Sequence, residues 1–197
     1  MAKYKNYDVF DRWDTPDWDD QTREAIRKRL EEIPTIRFFT EEEAQIAEAI
    51  ANRIVPQQQL ASNISIIPWI DEKLFLDLRD GYRYEGLPPQ REAWRSGLAG
   101  IEETSRIKFQ QGFKSLAEHQ QDEILHLIQS GDPPGDIWKR LPPNLFFHEM
   151  LCKHIVRTFY THPIAWNVIG YGGPAAIRGH VRKSEGEIDP WEAQPDE

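Results

Sequence analysis

The residues whose types and spacing could do chemistry are the histidines, their acidic neighbours and the single cysteine. Glu123-x-x-His126 is the spacing that puts a carboxylate and an imidazole on one helix face, as a carboxylate-bridged metal bundle requires. Such a bundle needs a second Glu-x-x-His pair and two further glutamates, and no second pair is present. His148-Glu149 begins like the helical zinc motif whose second histidine stands four residues on, but that position is Cys152. His148 and Cys152 could face each other across one turn, yet a closed zinc site takes four ligands. A packed cysteine and a hydrogen-bonded histidine are the plainer assignment. With His154, the residues His148 and Glu149 form the other set that could assist a metal.

Nucleophilic chemistry has less support. No Gly-x-Ser-x-Gly elbow exists. Cys152 falls in mid-helix, where a reactive cysteine would want a helix N-terminus or a strong cationic neighbour; His148 and Lys153 are weak candidates for the latter. Gly170-x-Gly172-Gly173-Pro174 is rich in glycine but follows no strand and lacks dinucleotide-fingerprint spacing. One cysteine allows neither an intrachain disulfide nor Cys-x-x-Cys-His haem attachment, and leans to a reducing compartment. The expectation is a chain with no catalytic, cofactor-binding or metal-binding residues of its own, which serves another chain. The alternative is a free-standing, metal-assisted helical enzyme using His148/Glu149/His154 or Glu123/His126.

Composition narrows the partners. The 197 residues suit one domain, which removes roughly 70% of its unfolded surface from water. The formal net charge of -9 offers no basic stripe to release counterions from phosphates, which argues against nucleic acid. An anionic membrane surface is disfavoured for the same reason, and no window approaches the roughly 18 apolar residues of a membrane span. Seven tryptophans are many for this length and suggest a partner surface, because an amphipathic ring suits an interface.

The elements that must position these residues are helical. Residues 1–19 read as an extended acidic and aromatic arm in which Tyr4, Tyr7, Phe10, Trp13 and Trp18 alternate with aspartates. It either lies on its own domain or docks on another chain. A helical domain over 20–183 comes next, then an acidic tail over 184–197. Within the domain, residues 20–33 form a short charged helix. Thr40 and Glu43 make a capping box for a helix to Val55. Pro68 opens a helix carried by Ile70, Leu74, Phe75 and Leu78 to about Gly81. Glu92 to about Gln110 is helical despite Gly97 and Gly100, which let another backbone come close. Ser115 and Glu118 make a second capping box for a helix to Gln129, with Leu116, Ile124, Leu127 and Ile128 inward. Trp138 and Leu141 belong to a short helical piece. The fold class is all-α, a single bundle of about six helices.

The last helix starts at the N-cap Asn144 and carries Phe146, Met150, Ile155 and Phe159. It runs into a loop of a different kind, Thr161-His162-Pro163-Ile164-Ala165-Trp166-Asn167-Val168-Ile169-Gly170-Tyr171-Gly172-Gly173-Pro174, with Arg178-Gly179 beyond. This stretch, together with Phe38-Phe39-Thr40-Glu41-Glu42-Glu43, Ile50-Ala51-Asn52-Arg53-Ile54-Val55-Pro56 and Phe146-Phe147, resembles the gluconate 2-dehydrogenase subunit 3 family. The resemblance spans roughly residues 36–180.

That resemblance implies a helical small subunit with no cofactor of its own, bound to a large flavoprotein of the glucose–methanol–choline (GMC) type. The large subunit carries FAD and oxidises a sugar or polyol, and a multihaem cytochrome c often takes the electrons. The small subunit is thought to support folding, stability or export of the large one. Many members have a twin-arginine signal; here an acidic, aromatic arm stands in that place, so the expected location is cytoplasmic, with periplasmic co-export on a partner's signal as the alternative. The expected partner interface is Tyr160, His162, Pro163, Trp166, Asn167, Tyr171, Gly172, Gly173, Pro174 and Arg178, with Trp13 and Trp18 of the arm. His180 and Arg182 add positive charge beside it. The alternative for this loop is that it caps its own core.

Overall fold

A computed structural model describes residues 4, 6–58, 60–81, 84–174, 179, 188–189 and 191–194. The chain is all-helical, and no strand occurs among the described residues. The α-helices are α1 (Asp20–Glu31), α2 (Glu41–Ile54), α3 (Ile67–Phe75), α4 (Gln90–Phe109), α5 (Glu118–Ser130), α6 (Pro143–Phe146), α7 (Lys153–Tyr160) and α8 (Pro163–Ile169). A π-helical segment, Phe147–Cys152, joins α6 to α7. The chain divides into two compact units, one of residues 34–56 and 65–158, the other of residues 1–33, 57–64 and 159–197.

The larger unit buries the apolar stripes of α2 to α6. Ile50, Ile70, Leu74, Trp94, Leu98, Ile101, Phe113, Ile124 and Phe146 are each at most 2% exposed. Each contributes roughly 1.5–3 kcal/mol by leaving water. The Thr40 capping box forms as the spacing predicts: the Thr40 hydroxyl accepts from the Glu43 N–H at 3.2 Å and the Glu43 carboxylate accepts from the Thr40 N–H at 2.8 Å. Pro68 sits in the first turn of α3. Gly97 and Gly100 do mark close approaches, but of rings rather than backbone. A Cβ on Gly97 would lie 2.0 Å from the Phe146 ring, and one on Gly100 2.6 Å from Trp138.

Several expected boundaries move, each for a tertiary reason. α3 ends at Phe75, not near Gly81. Asp77 takes a left-handed φ of 51° and closes the helix with the Leu78 N–H on the Lys73 carbonyl and the Asp77 N–H on the Leu74 carbonyl. Leu78 is therefore 55% exposed instead of extending the buried stripe. The Ser115 capping box does not form. Phe113–Ser115 is a 3-10 turn that sinks Phe113 into the core, and α5 starts after Ala117, whose N–H is met by the Gln120 side chain at 3.0 Å. Leu125 takes the buried place expected for Leu127, which is half-buried. Asn144 is not the N-cap of the last helix. Pro142 holds that place, and the Asn144 side chain accepts from the Leu145 N–H.

The smaller unit is built on rings and polar ties to the backbone. Residues 8–18 are not extended throughout. Asp8 caps a 3-10 turn, Val9–Arg12, by accepting from the Phe10 N–H at 3.0 Å. Val9, Trp18 and Ile26 form a small core, with Tyr7, Phe10, Trp13, Leu30 and Trp166 packed against it.

Candidate functional site

The stretch that carries the expected interface begins at the end of α7. His162 caps α8, its ring accepting from the Ile164 N–H, and Pro163 stands at the first helical position. The Trp166 indole N–H donates to the Tyr160 carbonyl at 2.7 Å. α8 stops at Gly170, whose φ of 69° favours glycine.

The chain's own terminal segments cover much of α8 and the turn beyond it. The Asn167 side chain accepts from the Val9 N–H at 2.8 Å and donates to Asp8 at 2.9 Å. The Tyr7 hydroxyl donates to the Tyr171 carbonyl at 2.7 Å. Trp18 lies 6.2 Å from Trp166 and 4.7 Å from Trp13, centroid to centroid. A Cβ on Gly173 would stand 2.8 Å from Val9, and one on Gly170 2.7 Å from the Tyr4 ring. On the far side, the Ala193 N–H donates to the Gly170 carbonyl, so this part of the acidic tail is packed in the same unit.

The expected interface residues therefore separate by exposure. Trp18, His162, Pro163, Gly172 and Gly173 are buried; Trp13, Trp166, Asn167, Tyr171 and Pro174 are half-buried; Tyr160 is exposed. Arg178, His180 and Arg182 lie outside the described residues. Two apolar side chains that the spacing did not single out, Val168 and Ile169 of α8, are exposed beside them.

The residues weighed for catalysis lie in the larger unit and do not converge. His148 is exposed, while His154 is 4% exposed. The Trp94 indole N–H donates to His154 Nδ1 at 3.0 Å, which leaves Nε2 to carry the proton and face Asp80 at 3.3 Å. Burial, with the charge of Lys73, holds the His154 pKa down to about 4. Burial alone would raise Asp80, but the ammonium of Lys73 and then His154 outweigh it and hold its carboxyl at about 2. Glu149 accepts from the Tyr84 hydroxyl and from Lys153, which keeps it below the ordinary carboxylate range. Cys152 is a structural thiol, pushed up to about 11 by burial. Glu123 pairs with Lys108 at 2.9 Å, and His126 faces Gln129 on an exposed surface. Among the described residues no group of three or more His, Cys, Asp or Glu is placed to hold a metal.

The π-helical segment explains part of this. Its wider turn breaks the four-residue register that would have put His148 and Cys152 on one face. Glu149 and Met150 of that segment, with Asp80, Tyr84 and Leu87, line a cavity of about 370 Å³. Its acids are engaged by neighbouring cations and hydroxyls, and no serine, threonine or cysteine lines it among the described residues.

The polar anchors of this unit are not apparent from residue spacing. Asp71 is fully buried and accepts from the N–H groups of Arg37, Phe38 and Phe39 at 2.7–3.2 Å. Arg53 forks onto Asp122 at 2.8 and 2.7 Å and reaches Glu118 at 2.6 Å, tying α2 to α5. Asp71 carries no local signal, since an acid on a helix is usually solvated. Arg53 is visible only as part of the Asn52-Arg53-Ile54-Val55-Pro56 run.

A family model, Gluconate 2-dehydrogenase subunit 3, matches residues 41–173, a span that holds α2, the π-jointed helix and the Trp166–Gly173 turn. The chain belongs to this family. No curated protein and no solved structure matches it significantly. The family is that of a subunit of a dehydrogenase complex, consistent with an accessory role. The family match begins after Asp8, Val9 and Trp18 and ends at Gly173, so the segment that covers the Trp166–Gly173 turn lies outside the matched span.

Proposed function

We propose that this chain is the noncatalytic small subunit that binds and stabilises an FAD-dependent catalytic subunit of the GMC type, acting on a CH–OH group of a sugar or polyol. The family match over residues 41–173 carries this proposal. The engaged state of His154, Glu149 and Cys152 supports it, since none is poised as an acid, base or nucleophile. In this proposal FAD sits wholly in the partner, and a cytochrome c receives the electrons from the complex. The substrate and the oxidised carbon are then set by the partner.

On the smaller unit the proposed docking face is Tyr160, Val168 and Ile169, with the half-buried edges of Trp166, Asn167, Tyr171 and Pro174. The buried members of the expected set act behind this face by shaping it. Co-expression with an FAD-dependent catalytic subunit tests the proposal. The expected result is a co-purified complex with flavin absorbance and dehydrogenase activity, while the chain alone has neither. A chain that stays monomeric beside the flavoprotein, without changing its yield or stability, would overturn it.

A further inference from the structure

α2 carries two stripes, and the fold uses only one. Ile46, Ala47, Ile50 and Ala51 point into the core. Glu41, Ala44, Gln45, Glu48, Ala49 and Asn52 recur at helical spacing on the other side and remain exposed or half-buried. They floor an open groove of about 700 Å³, walled by Ile36, Phe39 and Pro68, with Lys114 at its edge. Ile36 is 38% exposed there. The two alanines leave room for a second backbone to come close, and the stripe from residue 41 to 52 runs roughly 18 Å at helical rise.

The charges in this groove are uneven. Glu41 and Glu48 face it, with Glu42 adjoining, against one cation. That cation, Lys114, is engaged by the Gln45 side chain. Glu48 is half-buried among the alanines and makes no hydrogen bond or ion pair among the described residues. Desolvation pushes its carboxyl above the ordinary range, a cost that a neighbouring cation would relieve. A second copy of this chain fits poorly, because a two-fold contact of this face would set Glu48 against like charge.

We propose that the outer face of α2 seats a helix of the catalytic subunit, with a lysine or arginine of that helix paired to Glu48. This rests on the accessory-subunit proposal above. The test is co-expression with the FAD-dependent catalytic subunit, with capture through a tag on this chain and co-purified flavin read by absorbance. Glu48→Lys and Ala49→Trp are expected to reduce that flavin at least about tenfold, the scale of breaking a desolvated charge pair or filling a helix seat. Both variants should keep the wild-type helical circular dichroism and Tm as free chains. A photo-crosslinking side chain placed at Asn52, the exposed last residue of the groove floor, should link to the catalytic subunit.

Wild-type flavin recovery by both groove variants, or no crosslink from position 52 in a complex that does form, overturns the groove assignment and leaves the subunit proposal standing. Failure of the wild-type chain to capture the flavoprotein overturns both. A wild-type homodimer that Ala49→Trp converts to monomer gives the groove to a second copy and also overturns it.

Discussion

The two units of this chain are held by different means. The larger one is a helix-packed core in which the apolar periodicity of α2 to α6 meets itself, and its few buried polar groups are paired. The smaller one has little periodic apolar surface. Rings stack there on rings, and side chains from one end of the chain bind backbone groups near the other. The first kind of unit tolerates the loss of one contact among many. The second depends on a few long-range contacts, so removal of any one should open much of it.

Trp18→Ala should have the largest effect, about 3–5 kcal/mol if the cavity cannot collapse. Hydrogen exchange should then report loss of protection across residues 7–30 and 160–173. Protection of α4 lost to the same degree would show that the units do not respond separately. Asp71→Ala is next, at on the order of 3 kcal/mol, because it leaves three N–H groups of residues 37–39 without their acceptor. Urea unfolding at constant m-value measures it. A change below about 0.5 kcal/mol, the range of an ordinary surface substitution, would mean water replaces the carboxylate.

The His154–Asp80 pair gives the larger unit a pH signature. His154 is held at about 4 against 6.5 in the unfolded chain, so the unfolded state binds the extra proton first. Stability should therefore fall as pH drops from 6.5 to about 4, by at most about 3 kcal/mol. Asp80 adds a second loss, between 3.8 and about 2, as its carboxylate is protonated. His154→Gln should remove most of the upper slope, leaving the part due to the buried His162, and should narrow the lower window, where Lys73 remains to hold Asp80 down. An unchanged slope between pH 6.5 and 4 would place the titration elsewhere. Gly97→Ala should also destabilise, by about 1–3 kcal/mol, because a Cβ would meet the buried Phe146 ring at 2.0 Å, although alanine is the better helix former. Thermal unfolding decides the sign, and a higher Tm would mean that the Phe146 ring moves aside at no cost.

Local spacing made a good part of this legible. The Thr40–Glu43 capping box and Pro68 in a first turn depend on groups within one turn of each other, and they form as the sequence predicts. The Ser115–Glu118 box has the same local pattern and fails, because burial of Phe113 and Leu116 offers more than a cap is worth. The outer stripe of α2 was not singled out by spacing, because alanines and glutamates on a helix look like any solvated face. The Trp166–Gly173 turn was legible as a special shape and not in what it touches, since Val9 and Asn167 stand 158 residues apart.

The sequence by itself determined the helical class, the Thr40 cap and the family, because these rest on short-range periodicity and on motifs that keep their residues wherever the chain folds. The tertiary structure alone decided which aromatic residues remain at the surface, where Asp71 and Asp80 find their partners, and how the π-helical turn separates His148 from Cys152. Those outcomes depend on which distant groups compete for one small space, and residue spacing does not encode that competition.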